Sequence, residues 1–240
     1  MSDLSQVTAV ILAGGLGTRL RKIVSDRPKV MAEINGKPFL YYLLNQLAEA
    51  GIERVVISTG YMSQTIEETI GSLYRSLHID YSREAKPLGT AGALKLAGQV
   101  DGTNYYLVMN GDSFTEVDLV SLMVVHKNFN SNITIIIKAV EDSSRYGKIQ
   151  INDNNNIIKF TEKGNCSGRG FINTGVYMMN TSVLLEIPGK LPCSLEHDFF
   201  PKMLGKGIYG YETKEKFIDI GTPESFAKAK AFFERKPVPI

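Results

Sequence analysis

The residues best equipped for chemistry lie near the start of the chain, in Leu12-Ala13-Gly14-Gly15-Leu16-Gly17-Thr18-Arg19-Leu20, followed by Pro28-Lys29-Val30-Met31. A glycine-rich loop lets backbone N–H groups approach phosphate oxygens that a Cβ would hold off. Arg19 and Lys29 add positive charge to the same concavity, one as a planar fork and one as a point charge. Taken alone, such a loop also reads as a tight turn with two solvated cations. The composite of several fixed positions favours a polyphosphate site. Two familiar loops are excluded. A dinucleotide-binding fingerprint needs a third glycine where Leu20 stands, and Glu33 is poorly placed as its ribose-binding acid. A Walker A loop needs Gly-Lys before Ser or Thr, whereas Gly36-Lys37 runs into Pro38.

Such a loop needs a strand before it and helices around it. Val7–Leu12 is a continuous apolar run of the kind a buried strand shows. Pro38 suits a first helical turn; Phe39, Leu43, Leu47 and Ala50 recur at helical spacing, and Gly51 closes the run. Further strands are expected at 54–58, 79–82 and 105–109, the last halted by the turn Asn110-Gly111-Asp112. Helices are expected at 90–97 and at 118–127, the latter with Leu119, Leu122 and Val125/His126 on one face. The middle of the chain changes character. Strand candidates at 133–140, 148–151, 157–161 and 175–179 are separated by polar turns and suit an antiparallel extension or a lid. Thr222-Pro223 opens a last helix with Phe226, Ala229 and Phe233 inward, and the tail 236–240 is expected to fray. The pattern predicts an α/β fold: a Rossmann-like, mostly parallel mixed sheet with helices on both faces and a small antiparallel extension.

With 240 residues and no linker or repeat, one domain spanning 1–240 is expected. The 43% apolar and 22% charged residues exclude disordered and fibrous classes. A net charge of +2 gives no reason to expect nucleic acid or a membrane surface. Apolar stretches are too short to span a bilayer, and the first residues lack a basic and an apolar leader region. Cys166 and Cys193 have neither metal-ligand nor redox spacing, which suits a reducing cytoplasm. Only His78, His126 and His197 are present, so chemistry that needs a histidine base starts with poor odds.

The composite resembles the sugar-1-phosphate nucleotidyltransferases, also called NDP-sugar pyrophosphorylases. Their signature Gly-Gly-x-Gly-Thr-Arg-Leu, a gap and Pro-Lys is matched at 14–20 and at Pro28-Lys29. The likeness continues through Pro87-Leu88-Gly89-Thr90-Ala91-Gly92, Asn110-Gly111-Asp112, Glu162-Lys163, Asn173-Thr174-Gly175 and Asp219-Ile220-Gly221-Thr222-Pro223. It thus covers nearly the whole chain; Phe217 stands where relatives often carry tryptophan. The resemblance implies attack by a sugar-1-phosphate oxygen on the α-phosphorus of a nucleoside triphosphate, with pyrophosphate leaving. That nucleophile is already ionised at neutral pH, so the reaction needs charge cancellation and in-line geometry rather than a base.

The resemblance also implies roles. Arg19, Lys29, Asp112 and Lys163 would be catalytic, and Asp112 and Asp219 would hold Mg²⁺, whose preference for a few hard oxygens suits two carboxylates. Without the family, Asp112 also reads as a turn residue and Asp219 as an acid before a helix. The nucleotide would meet Leu12, Ala13, Gly14, Gly15, Gly17, Thr18, Arg19, Lys29 and Gly111, with the base read along Pro87, Leu88, Gly89, Thr90 and Ala91. Glu84 is the nearby acid suited to accept from guanine N1–H and N2–H₂. The sugar phosphate would meet Asn110, Tyr146, Gly147, Glu162, Lys163, Asn173, Thr174, Gly175 and Glu196. For Glu196 and Asp198 a helix-capping role is an equal reading, and His197 reads as a surface residue. The Leu-Gly-Thr-Ala-Gly-Ala form, and the lack of a hexapeptide-repeat tail, look most like short guanylyl-transferring members acting on a manno-configured heptose 1-phosphate. The alternatives are UMP or CMP transfer, mannose 1-phosphate as acceptor, or a silent subunit that only binds nucleotide sugar. Expected partners are therefore GTP and a sugar 1-phosphate, with self-association left open.

Overall fold

The computed structural model describes residues 4–15, 17–20, 23–99, 102–161 and 167–234. Strand β1 (Val7–Leu12) enters the glycine loop, and a 3-10 turn at Lys29–Met31 leads to short strands β2 (Glu33–Ile34) and β3 (Lys37–Pro38). Helix α1 (Phe39–Glu49), β4 (Arg54–Thr59), α2 (Ser63–Ile70), β5 (Leu73–Tyr74), β6 (Leu77–Arg83), α3 (Gly89–Ala97) and β7 (Tyr105–Asn110) follow. Next come β8 (Ser113–Thr115), α4 (Leu119–Asn128), β9 (Ile133–Val140), β10 (Lys148–Ile151), β11 (Ile157–Thr161) and β12 (Gly170–Asn180). The chain then runs through α5 (Val183–Glu186), a π-helical turn at Leu195–Phe199, β13 (Ile208–Glu212), β14 (Phe217–Asp219) and α6 (Pro223–Phe233).

The parallel centre of the sheet has the order β7-β1-β4-β6. Alternate β1 side chains feed two cores: Val7, Ala9 and Ile11 pack with Phe39, Leu43 and Leu47 of α1, and Val10 packs with Ala91, Leu94 and Ala97 of α3. That two-faced burial is why β1 is apolar at nearly every position instead of alternating. The chain leaves β1 towards β4 and β6, then returns through β7 on the other side, so the order reverses at β1. A crevice at the carboxyl ends of such strands is where open α/β sheets bind ligands.

The antiparallel expectation resolves as a widening of the sheet. β12 begins five residues before the expected 175–179 core. Along one side it pairs with β9; on the other it pairs first with β10 and then with β7. β11 pairs with β10 at the margin, and β13 joins β9 in parallel. Pro38 sits one place earlier than expected, as the residue preceding helix α1. The cap expected at Thr222 is present, and Asp118, expected as the first residue of its helix, instead caps it. Asp118 accepts from the N–H groups of Val120 and Ser121, and Thr222 and Ser225 form a reciprocal capping box ahead of α6, contributions of about 1 kcal/mol each. On α4 the buried face is Leu119, Leu122, Met123 and His126. Among the described residues no helix is long and apolar enough to cross a membrane. The tail 236–240 lies outside the described residues.

Candidate active site

Four segments bring their ends together. Leu12, at the end of β1, lies opposite Ser58 of β4 and Asn110 of β7, while Glu84 follows directly on β6. The Ala13 N–H donates to Ser58 O at 2.8 Å and the Gly111 N–H to Leu12 O at 2.9 Å, which pins the glycine loop to both neighbouring strands. Gly14 packs so tightly that a Cβ there would stand 2.5 Å from Glu84 Oε1.

Three cavities open onto this crevice, and Asp112 lines all of them. One of about 180 Å³ is walled by Leu12, Ala13, Gly15, Gly17, Thr18, Arg19, Lys29 and Gly221. Its two cations converge, since a Cβ on Gly221 would lie 3.5 Å from Lys29 Nζ and 4.0 Å from Arg19 Nη2. The second, about 300 Å³, is lined by Gly14, Gly15, Ser58, Glu84, Pro87, Gly89, Thr90, Ala93 and Asn110. Here Glu84 Oε2 accepts from the Leu88 N–H at 2.9 Å and Oε1 from Ser58 Oγ at 3.3 Å. The third, about 150 Å³, lies between Arg19, Asn110, Ser113, Arg145, Tyr146, Asn173, Thr174, Phe217 and Asp219. A larger cavity of about 890 Å³ lies elsewhere, against Tyr42, Phe114 and Phe233, with Glu49, Glu116, Asp118, Glu212 and Glu215 among its walls. So acidic a wall disfavours a polyphosphate; the smaller, cation-bearing crevice suits one.

The two carboxylates have different surroundings. Lys29 Nζ donates to Asp112 Oδ2 at 2.5 Å, with the lysine side chain only 11% exposed and the aspartate 43%. Asp219 comes alongside through β14, which pairs with β8, and through the Ile220 N–H, which donates to Asp112 O at 2.9 Å. Burial alone pushes the Asp219 carboxyl up. The Tyr146 hydroxyl, the Gly221 N–H, the Arg145 guanidinium and the Ser225 hydroxyl outweigh burial and hold it below the usual carboxylate range. Burial and the Asp219 charge correspondingly push the Tyr146 phenol up.

Not every expected site residue faces a cavity. Gly111 and Ala91 are buried, and Gly175 backs onto Ser113 and Asn110, whereas Thr174, though largely buried, still contributes to the wall of the third cavity. Leu88 and Gly147 are half-buried beside the walls without lining them. Asn173 Oδ1 accepts from the Gly175 N–H at 2.8 Å, closing a local Asx-type turn. The Glu196 carboxylate is engaged by Thr90, Ser194 and Tyr177 instead of facing the sugar-side cavity. His197 is exposed, and Asp198 accepts from the Ser194 N–H, the capping reading. Glu162 and Lys163 lie outside the described residues, as does Cys166. Arg145 is a residue that sequence reasoning missed. It lies 3.4 Å from Asp219 and over the Tyr146 ring, but a lone arginine beside Tyr-Gly carries no periodic or motif signal.

Known proteins resemble this chain over most of its length. D-glycero-alpha-D-manno-heptose 1-phosphate guanylyltransferase of Aneurinibacillus thermoaerophilus is 40% identical over 92% of this chain and 96% of its own. Mannose-1-phosphate guanylyltransferase of Mycobacterium tuberculosis is 35% identical over 98% of this chain and 66% of its own. Crystal structures of HddC from Yersinia pseudotuberculosis superpose with TM-scores of 0.84 and, complexed with GMP-PN, 0.83, at 36% and 35% identity, covering 95% of this chain and 99% of theirs. The nucleotidyl transferase family profile matches residues 8–236, and the chain belongs to that family.

Proposed function

We propose that this chain transfers GMP from GTP to D-glycero-α-D-manno-heptose 1-phosphate, releasing pyrophosphate and forming GDP-heptose for surface polysaccharide synthesis. The observation that carries the reading is the 40% identity, across nearly the full length of both chains, with an enzyme named for that reaction. The GMP-PN complex of HddC supports guanine as the base. The sugar-phosphate oxygen attacks the α-phosphorus in line as the α–β anhydride bond breaks and pyrophosphate leaves.

Each cavity then takes one part of the reaction. The glycine loop, Arg19 and Lys29 receive the triphosphate, where fixed positive charge is worth most as the leaving group gathers negative charge. The base enters beside Glu84 and Pro87–Thr90, and Glu84 accepts from the guanine N–H donors. The acceptor sugar meets Asn110, Tyr146, Asn173 and Thr174. By family resemblance Glu162 and Lys163 complete that side, with Lys163 on the sugar phosphate.

Asp112 and Asp219 fit a hard divalent cation. Asp112 lines both the triphosphate and the sugar cavity, Asp219 lines the sugar cavity, and Asp219 is kept ionised by its donors. Mg²⁺ held there would neutralise phosphate charge. We further read the chain as one catalytic domain across 1–240. The buried free thiol of Cys193 supports a reducing, cytoplasmic setting. Mannose 1-phosphate is the second acceptor to consider, on the strength of the mycobacterial relative.

The test is direct. Purified protein with GTP, Mg²⁺ and the heptose 1-phosphate should yield GDP-heptose by mass spectrometry, together with stoichiometric pyrophosphate. Absence of product with both the heptose and mannose 1-phosphates would refute the reading.

A further inference from the structure

We infer that Glu196 is a positioning residue for the base-reading loop rather than a ligand of the sugar. This rests on the guanylyltransferase reading and adds a residue that sets its nucleotide affinity. The two carboxylate oxygens point in different directions. Oε2 accepts from Thr90 Oγ1 at 2.9 Å and from Ser194 Oγ at 2.9 Å. Oε1 accepts from the hydroxyl of Tyr177, a fully buried side chain, at 3.2 Å. Tyr177 in turn accepts from Asn173 Nδ2 at 2.9 Å, so both oxygens of Glu196 are committed inside the protein.

The partner of Oε2 matters most, because Thr90 lines the cavity assigned to the base. Thr90 Oγ1 also accepts from the Leu195 N–H at 2.7 Å, so its hydroxyl is held from both sides by the turn that carries Glu196. The backbone repeats the attachment: the Cys193 N–H donates to Leu88 O, and Cys193 O accepts from the Ala91 and Gly92 N–H groups. Gly89, at φ +75°, packs against the same peptide so closely that a Cβ would stand 2.3 Å from Cys193 O. The base loop thus rests on the 193–196 segment, and Glu196 is the charged side chain that joins them. A hydrogen bond to a charged group is among the stronger kind, and removing one partner leaves the other unsatisfied in a half-buried place.

A residue that touched the sugar would act on the sugar phosphate, whereas one that holds the base loop acts on the nucleotide. Steady-state kinetics on Glu196→Ala and Glu196→Gln, with each substrate varied in turn, separate the two. We expect Glu196→Ala to raise KM for GTP by about tenfold or more, with a much smaller change for the sugar 1-phosphate. Its GTP-over-UTP preference should fall with the GTP affinity. Glu196→Gln keeps an acceptor for Thr90 and should recover most of the loss. Thr90→Val should reproduce the Glu196→Ala effect, and the double variant should be no worse than either single one. A rise confined to the sugar 1-phosphate, an equal rise for both substrates, or no rise at all would overturn the inference. Wild-type protein that fails to use GTP would instead refute the underlying function, so the two failures are distinguishable.

Discussion

The Lys29 ammonium and the Asp112 carboxylate meet at 2.5 Å although 83 positions separate them in the sequence. One comes from the turn after the glycine loop and the other from the turn between β7 and β8. Together they place the cation proposed to bind phosphate directly beside a proposed metal ligand. Lys29→Ala should therefore cut kcat by about 10²–10³, the scale for losing one preorganised stabiliser of developing charge. Steady-state pyrophosphate release, with circular dichroism as a check on folding, measures it. Full turnover in a folded Lys29→Ala protein would remove Lys29 from the machinery.

Replacing either carboxylate by its amide keeps shape and removes charge. Asp112→Asn and Asp219→Asn should retain the fold yet lose Mg²⁺-supported turnover, because a neutral amide does not offset the ion's charge. Titrating Mg²⁺ against initial rate, with EDTA as the blank, reads this out. Undiminished rates in EDTA would contradict the metal assignment.

Glu84 offers a test of base choice. Its carboxylate is fixed by the Leu88 N–H and Ser58 hydroxyl at the wall of the base cavity. Glu84→Gln leaves one acceptor and introduces a donor that opposes guanine N1–H. The ratio of kcat/KM for GTP over UTP should fall at least about tenfold, the worth of one unpaired buried hydrogen bond. An unchanged ratio would show that guanine is read elsewhere.

His126 predicts a pH dependence of stability. Burial lowers its pKa, the hydrogen bond with Asn180 opposes that shift, and Lys127 adds to it. The unfolded chain, with an imidazole near about 6.5, binds the proton more readily than the folded one. This contribution is fully present above the unfolded value and is lost as pH falls below about 6.5 towards the lower folded pKa. Urea unfolding at pH 7.5 and 5.0 should show a smaller acid loss in His126→Gln than in wild type. Equal losses would mean that His126 is not buried as a neutral ring.

Much of this was readable in the residues themselves. β1, β9, β10 and β11 lie where apolar runs and polar turns put them, because strands buried on two faces or bounded by clear turns leave plain patterns. The cap Thr222 was legible for the same local reason. Other elements had no local signature. α2 is mostly polar and buries only Ile66 and Ile70, while β13 is a five-residue strand interrupted by Gly210, which packs against Ile137. The site divides similarly. The glycine loop and its cations announce themselves by type and spacing. The use of Glu196 depends on Thr90, 106 positions away, and sequence spacing does not encode where a carboxylate points.

The central claim is guanylyl transfer to a sugar 1-phosphate, and its most direct measurement is pyrophosphate release across a grid of four nucleoside triphosphates and a panel of sugar 1-phosphates. GTP with D-glycero-α-D-manno-heptose 1-phosphate should give the highest kcat/KM, ahead of GTP with mannose 1-phosphate and well ahead of every UTP, CTP and dTTP pair. A preference for UTP or CTP, or no release from any pair, would contradict the account.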